Sequence, residues 1–138
     1  MVPRDTRTGT VLEQMILPAL NKGGYIYKTQ VNIGRRPGGK KHVVDVIAER
    51  NKDKILISLK WQQISGTAEQ KVPFEVICLS HALRQGVYNK AYLVLGGTGW
   101  SLRDFYTTGG LNDYLKIHPD LKIIKLEDFI ALTNQGKL

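Results

Sequence analysis

Apolar positions change their period several times along the chain, and each change marks a predicted element. Leu12, Met15, Ile16 and Ala19 recur at helical spacing, so Thr8 to Asn21 reads as a helix that Gly23-Gly24 closes. Pro18 inside it predicts a kink or an early stop. Tyr25 to Ile33, rich in aromatic and β-branched residues, reads as a strand. Gly34 to Lys41 is a loop by its Gly and Pro content. His42–Glu49 and Lys54–Gln62 are two further strands, and the short Asn51-Lys52-Asp53 turn makes them an antiparallel hairpin. Thr67-Ala-Glu-Gln70 matches a capping box and opens a helix to about Gln85, with Pro73 near its first turn. That helix is apolar on most sides, which predicts a central, buried position.

Ala91–Leu95 is a continuous apolar run, the pattern of a strand covered on both faces. Gly96-Gly-Thr-Gly99 is a turn. Ser101–Tyr106 and Leu111–Ile117 read as short helices, Leu121–Leu126 as a last strand and Glu127–Thr133 as a last helix. Three antiparallel strands followed by βαβ crossovers predict an α/β fold, with a mixed central sheet flanked by helices. The length of 138 residues fits one domain, residues 1–138.

Charge narrows the partners. The net charge is +8, which points to a polyanion, nucleic acid first and anionic membrane second. It is unevenly spread: residues 1–41 carry eight basic side chains against Asp5 and Glu13. The lone Cys78 excludes a disulfide framework and a Cys-rich zinc site, and its apolar surroundings predict a buried thiol. No apolar run approaches the roughly 18 residues of a membrane span. The start, MVPRDTRTGT, lacks the apolar stretch of a signal peptide. The expected location is cytoplasmic, with no membrane partner.

Candidate chemistry lies in VVDVIAE and ILISLKWQQ. Asp45 alternates with Val43 and Ile47 on one strand, and Ser58, Lys60 and Gln62 share a face of the next. A hairpin therefore brings Asp45 and Lys60 onto adjacent strands. Burying an ionised Asp and a Lys among apolar β-residues is costly unless they pair or act on something. The two readings are a structural salt bridge at a sheet edge and an active site.

With this order of elements, Asp45 on the second strand and Ser58-Leu59-Lys60 on the third, residues 8 to 95 resemble the PD-(D/E)XK nuclease superfamily. That is the restriction-endonuclease-like fold, with an αβββαβ core, of small type II restriction endonucleases and archaeal Holliday-junction resolvases. The resemblance implies Mg²⁺, with Mn²⁺ as a substitute, bound by Asp45, by Glu13 of the first helix and by the Leu59 carbonyl. It implies that Lys60 activates or orients the attacking water. Ser58 stands where the tripeptide has an acid. In some restriction enzymes of this superfamily the missing carboxylate comes from the following helix; Glu69 and Glu75 are the two candidates here, with Glu69 slightly favoured because it would sit in the first turn of that helix, near the end of the third strand. Glu69 sits where a carboxylate also suits a helix N-terminus. Gln62, on the Lys60 face, is a candidate to contact phosphate or a metal-bound water, or simply a polar residue at a strand end.

Arg35, Arg36, Lys40 and Lys41 give the loop before the Asp45 strand a charge of +4, suited to the DNA backbone. Gly96-Gly-Thr-Gly99 lacks the Lys-Ser/Thr of a phosphate loop. His42, His81 and His118 lack metal-ligand spacing. Trp61 faces away from Lys60. The expected activity is metal-dependent DNA endonuclease, restriction-like or in repair, by a homodimer. The alternatives are a Holliday-junction resolvase and a catalytically inactive DNA-binding module.

Overall fold

The computed structural model describes residues 6–138. One mixed sheet runs through it in the order β1-β2-β3-β4-β5. β1 (Ile26–Arg35), β2 (Lys41–Arg50) and β3 (Asp53–Trp61) are antiparallel neighbours; β4 (Lys90–Gly96) and β5 (Leu121–Lys125) continue parallel to β3. Helices cover both faces. α1 (Thr6–Val11), a π-helical turn (Leu12–Ile16), α2 (Leu17–Lys22) and α5 (Leu126–Asn134) lie on one side. α3 (Ala68–Arg84) and α4 (Arg103–Thr107) lie on the other.

The alternation along the strands builds two cores. On β3, Ile55, Ile57 and Leu59 face the α1–α5 side with Tyr92, Val94 and Phe129. Leu56 faces α3 with Leu93, Leu95, Val72 and Leu79. β4 is buried along almost its whole length, as its unbroken apolar run predicts. α3 buries one stripe, Val72, Val76, Leu79 and Leu83, and leaves Phe74 and Ile77 exposed. It is therefore an amphipathic cover on the sheet, and the expectation of a helix buried on most sides is corrected.

Four other expectations change. The first helix does not stop at Pro18; a π turn precedes it, in which the Leu17 amide donates to the Leu12 carbonyl. The wider turn accommodates a residue that has no N–H of its own. The segment read as Leu111–Ile117 forms only a 3₁₀ turn, Gly110–Asp113, because so short a piece opened by glycines gains too few bonds to offset helix nucleation. The Thr67 capping box does not form. Thr67 already has a helical backbone and its side chain caps nothing; instead the Gln62 Oε1 accepts from the Glu69 amide at 3.3 Å. The loop before β2 is shorter than Gly34–Lys41, because β1 runs on to Arg35 and β2 starts at Lys41. Among the described residues no helix is long and apolar enough to cross a membrane.

The ends of β3 and β4 are pinned together by the glycine turn. A Cβ on Gly97, at φ +98°, would lie 2.3 Å from the Gln62 carbonyl oxygen. Alanine at Gly38, φ +95° and in open space, is expected to cost about 1–2 kcal/mol from backbone strain alone. Gly97→Ala adds a clash with backbone, so its loss in a urea denaturation series should be roughly twofold larger or more. Equal losses would show that the close approach does not hold this corner.

Candidate active site

The β2–β3 ladder ends at Val46↔Ile57. Continued, its register would set Asp45 opposite Ser58 and Val44 opposite Leu59. The strands part instead, and the Leu59 amide donates to the Asp45 Oδ2 at 2.7 Å. The N–H and C=O of a strand residue project from the same edge, so the Leu59 carbonyl faces this opening too. On β1, Gln30 stands at the position opposite Asp45 with φ +52°, and its side chain favours the charged form of the Asp45 carboxylate. A non-glycine residue there is uncommon and often marks a functional site.

The parted strands and the N-terminal half of α3 enclose an open cleft of about 660 Å³. Asp45, Ser58, Lys60 and Glu75 line it, with Thr8 from the first helix and Lys71 at the rim. Glu75 reaches the cleft from α3, where its Oε1 lies 3.3 Å from the Nε2 of His42 on β2. His42 is only 4% exposed.

The two carboxyls are pushed apart. Burial drives the pKa of Asp45 up, outweighing the Leu59 amide and the Lys60 charge; nearby Glu75 pushes the same way. Burial also works to raise Glu75. The hydrogen bond from His42, the charges of Lys60 and His42 and the Ser58 hydroxyl outweigh it and hold Glu75 below its ordinary value. Two partly buried carboxylates and a strand carbonyl make an all-oxygen donor set, the kind that suits Mg²⁺ with several retained waters. Among the described residues no three His, Cys, Asp or Glu side chains are placed to hold a metal ion together, so a cation at Asp45 and Glu75 would draw its remaining ligands from carbonyl and solvent.

The other sequence candidates fall elsewhere. Glu13 is exposed on the π turn between buried Leu12 and Ile16 and does not reach the cleft. Glu69 also stays out of it. Its carboxylate accepts from the Ser101 amide, from the Ser101 hydroxyl at 2.8 Å and from the Leu102 amide at 2.8 Å. Gln62 lines the cleft, but its amide is engaged: Nε2 donates to the Gly99 carbonyl at 2.8 Å and Oε1 accepts from Glu69. Arg35 donates to the Gly39 carbonyl at 2.6 Å, and the Arg36 guanidinium sits over Phe74, 5.3 Å from the ring centre. The basic segment is thus an ordered turn folded onto α3, with Lys40 and Lys41 exposed.

Sequence reasoning missed His42 and Gln30. Gln30 gives no local signal, because only the backbone reveals its left-handed conformation. His42 has one: a histidine three residues before the strand aspartate, in a segment that must bury alternate positions.

The sequence model of the PD-(D/E)XK nuclease superfamily domain matches residues 4–137. The chain belongs to that superfamily, and its mixed five-stranded sheet with flanking helices is the restriction-endonuclease-like fold. A solved structure described as "Crystal Structure of Protein of Unknown Function AF1548" is similar with a TM-score of 0.51 at 14% identity, covering 88% of this chain. The chain spans 63% of that protein's length, and at this identity the likeness concerns the fold. No curated protein matches.

Glu69 gives the site's rim a pH signature. Partial burial raises its pKa, but the Leu102 and Ser101 donors outweigh it and leave a net depression. A depressed carboxyl contributes stability above its unfolded pKa and loses it as pH falls through the folded one. Glu69→Gln is therefore expected to cost no more than about 0.5–1 kcal/mol near neutral pH, solvent screening reducing what these exposed contacts contribute. Its melting-temperature gap from wild type should narrow as pH drops through and below the ordinary carboxylate range. A gap that stays constant to pH 3 would refute this role.

Proposed function

We propose that the chain is a metal-dependent endonuclease that hydrolyses DNA phosphodiesters at the Asp45–Glu75–Lys60 cleft. The observation that carries this reading is the convergence of two partly buried carboxylates and a lysine on the opening between β2 and β3. Asp45, Glu75 and the Leu59 carbonyl would hold Mg²⁺ or Mn²⁺. Glu75 fills the place of the acid that Ser58 lacks. When bound, such a cation supplies charge that offsets the build-up on the scissile phosphate and makes water a better nucleophile.

The chain's own residues do the rest. Asp45 is fixed by the Leu59 amide, so its carboxylate is preorganised. Lys60 adds positive charge beside both carboxylates and holds the attacking water in line with the phosphorus. Lys40 and Lys41 extend a cationic track beyond the cleft for the flanking phosphates. Cutting both strands of a duplex takes two such sites, which suits a homodimer.

Supercoiled plasmid, a four-way junction and RNA, each with Mg²⁺ or Mn²⁺, test the activity and its substrate. Asp45→Asn, Glu75→Gln and Lys60→Ala are each expected to slow cleavage at least about 10²-fold, while Glu13→Gln stays near wild type. Folding of each variant is checked by circular dichroism. Cleavage retained in folded Asp45→Asn and Lys60→Ala would reject this site. DNA binding without cleavage under any metal would favour an inactive binding module.

The basic turn is tested separately. Lys40→Ala with Lys41→Ala should weaken binding evenly across duplex sequences and reduce the slope of log K against log salt by roughly 2. An unchanged slope would remove the turn from the DNA path.

A further inference from the structure

Glu75 differs from Asp45 in what holds it. Asp45 is a strand residue fixed by a backbone amide. Glu75 sits on α3 at the end of a flexible side chain, and a glutamate has three rotatable bonds to fix before it can serve as a ligand. An acid on the third strand would need no such help. Here that position is Ser58, 4% exposed and lining the same cleft.

The partner that fixes Glu75 comes from β2. His42 is buried, and its Nε2 lies 3.3 Å from the Glu75 Oε1. An ionised carboxylate only accepts hydrogen bonds, so Nε2 carries the hydrogen and donates. The contact spans 33 residues of sequence and links the strand that carries Asp45 to the helix that carries Glu75. We propose that His42 is a positioning residue: it clamps the helix-borne Glu75 in the orientation in which it joins Asp45 at the metal site. This rests on the reading of Glu75 as a metal ligand.

The geometry favours this over simple core filling. A histidine needed only to fill space would leave its polar edge to solvent or to a backbone carbonyl. Here the edge meets a partly buried carboxylate of α3, Glu75. Partners that orient ligating side chains typically change metal affinity by roughly 10- to 100-fold when removed.

The test measures Mn²⁺ affinity by titration calorimetry and by the electron paramagnetic resonance of free Mn²⁺, with plasmid nicking alongside. His42→Ala should weaken Mn²⁺ binding about 10-fold or more. His42→Gln, whose amide can donate in place of Nε2, should recover most of that loss. In a Glu75→Gln background, His42→Ala should cause no further loss, because the ligand it orients is already gone. Thermal melts check folding, and if His42→Ala does not fold, His42→Gln against His42→Leu makes the same comparison. Wild-type affinity in His42→Ala, or equal loss with and without Glu75, would overturn the proposal while leaving the metal site standing. A wild-type chain that binds no Mn²⁺, or whose binding survives Asp45→Asn, would overturn the metal-site reading and the clamp with it.

Discussion

The hydrogen bond from the Leu59 amide to the Asp45 carboxylate is the constraint on which the site depends. It replaces a rung of the β2–β3 ladder. Where a carbonyl of β2 would have satisfied Leu59, a side chain does so, and the strands are free to diverge. A buried amide left unpaired would cost a few kcal/mol, so the substitution stabilises the divergence as well as permitting it. It also selects one position for the carboxylate. The same edge of β3 presents the Leu59 carbonyl, and Lys60, one residue on, belongs to the other face with Ser58. One bond thus sets the cleft's width and the direction of its donors.

Burial at that position has a cost that the surrounding residues offset. Asp45 is held up by desolvation, and the Leu59 amide, Lys60 and Gln30 offset only part of it. Glu75, in the same cleft, ends on the other side of its ordinary value because His42, Lys60 and Ser58 all favour its charge. The two carboxyls therefore meet the cleft in different electrostatic states. Like charges placed together without this division would repel and raise one another. A basic chain, +8 overall, spends some of its positive charge here to keep two acids close.

The parts of this that were legible in the sequence were those set by local period. Alternation located β2 and β3, and the short Asn51-Lys52 turn made them a hairpin, so Asp45 and Lys60 could be put on adjacent strands before any coordinates. The apolar run at Ala91–Leu95 likewise marked the central parallel strand. What was not legible depended on tertiary placement. Glu69 and Glu75 both lie within two turns of the start of one helix; sequence position slightly favoured Glu69, whereas the structure brings Glu75 to the cleft. The decision rests on how α3 lies across the sheet and on what else competes for each carboxylate. Glu13 fell on the wrong side of its helix because the π turn and the buried Leu12 and Ile16 set its direction. Thr67 looked like a cap, but Gln62 reached its helix first.

Glu69 and Glu75 also show what separates a structural acid from a candidate ligand when residue type and position are so similar. A carboxylate offers about four acceptor sites. Glu69 spends both oxygens on the Ser101–Leu102 turn, whose amides and hydroxyl converge on it. Its backbone is used as well: the amide is taken by Gln62 and the carbonyl by the Tyr106 hydroxyl at 2.7 Å. Every group of Glu69 ties α3 to its neighbours, and little acceptor capacity remains for a cation. Glu75 is anchored through one named oxygen, to a side chain, on the cleft side of the same helix. The rim acid gives its lone pairs to the fold so that α3 keeps its place, and that placement lets the second acid, six residues on, face the opening that Asp45 creates.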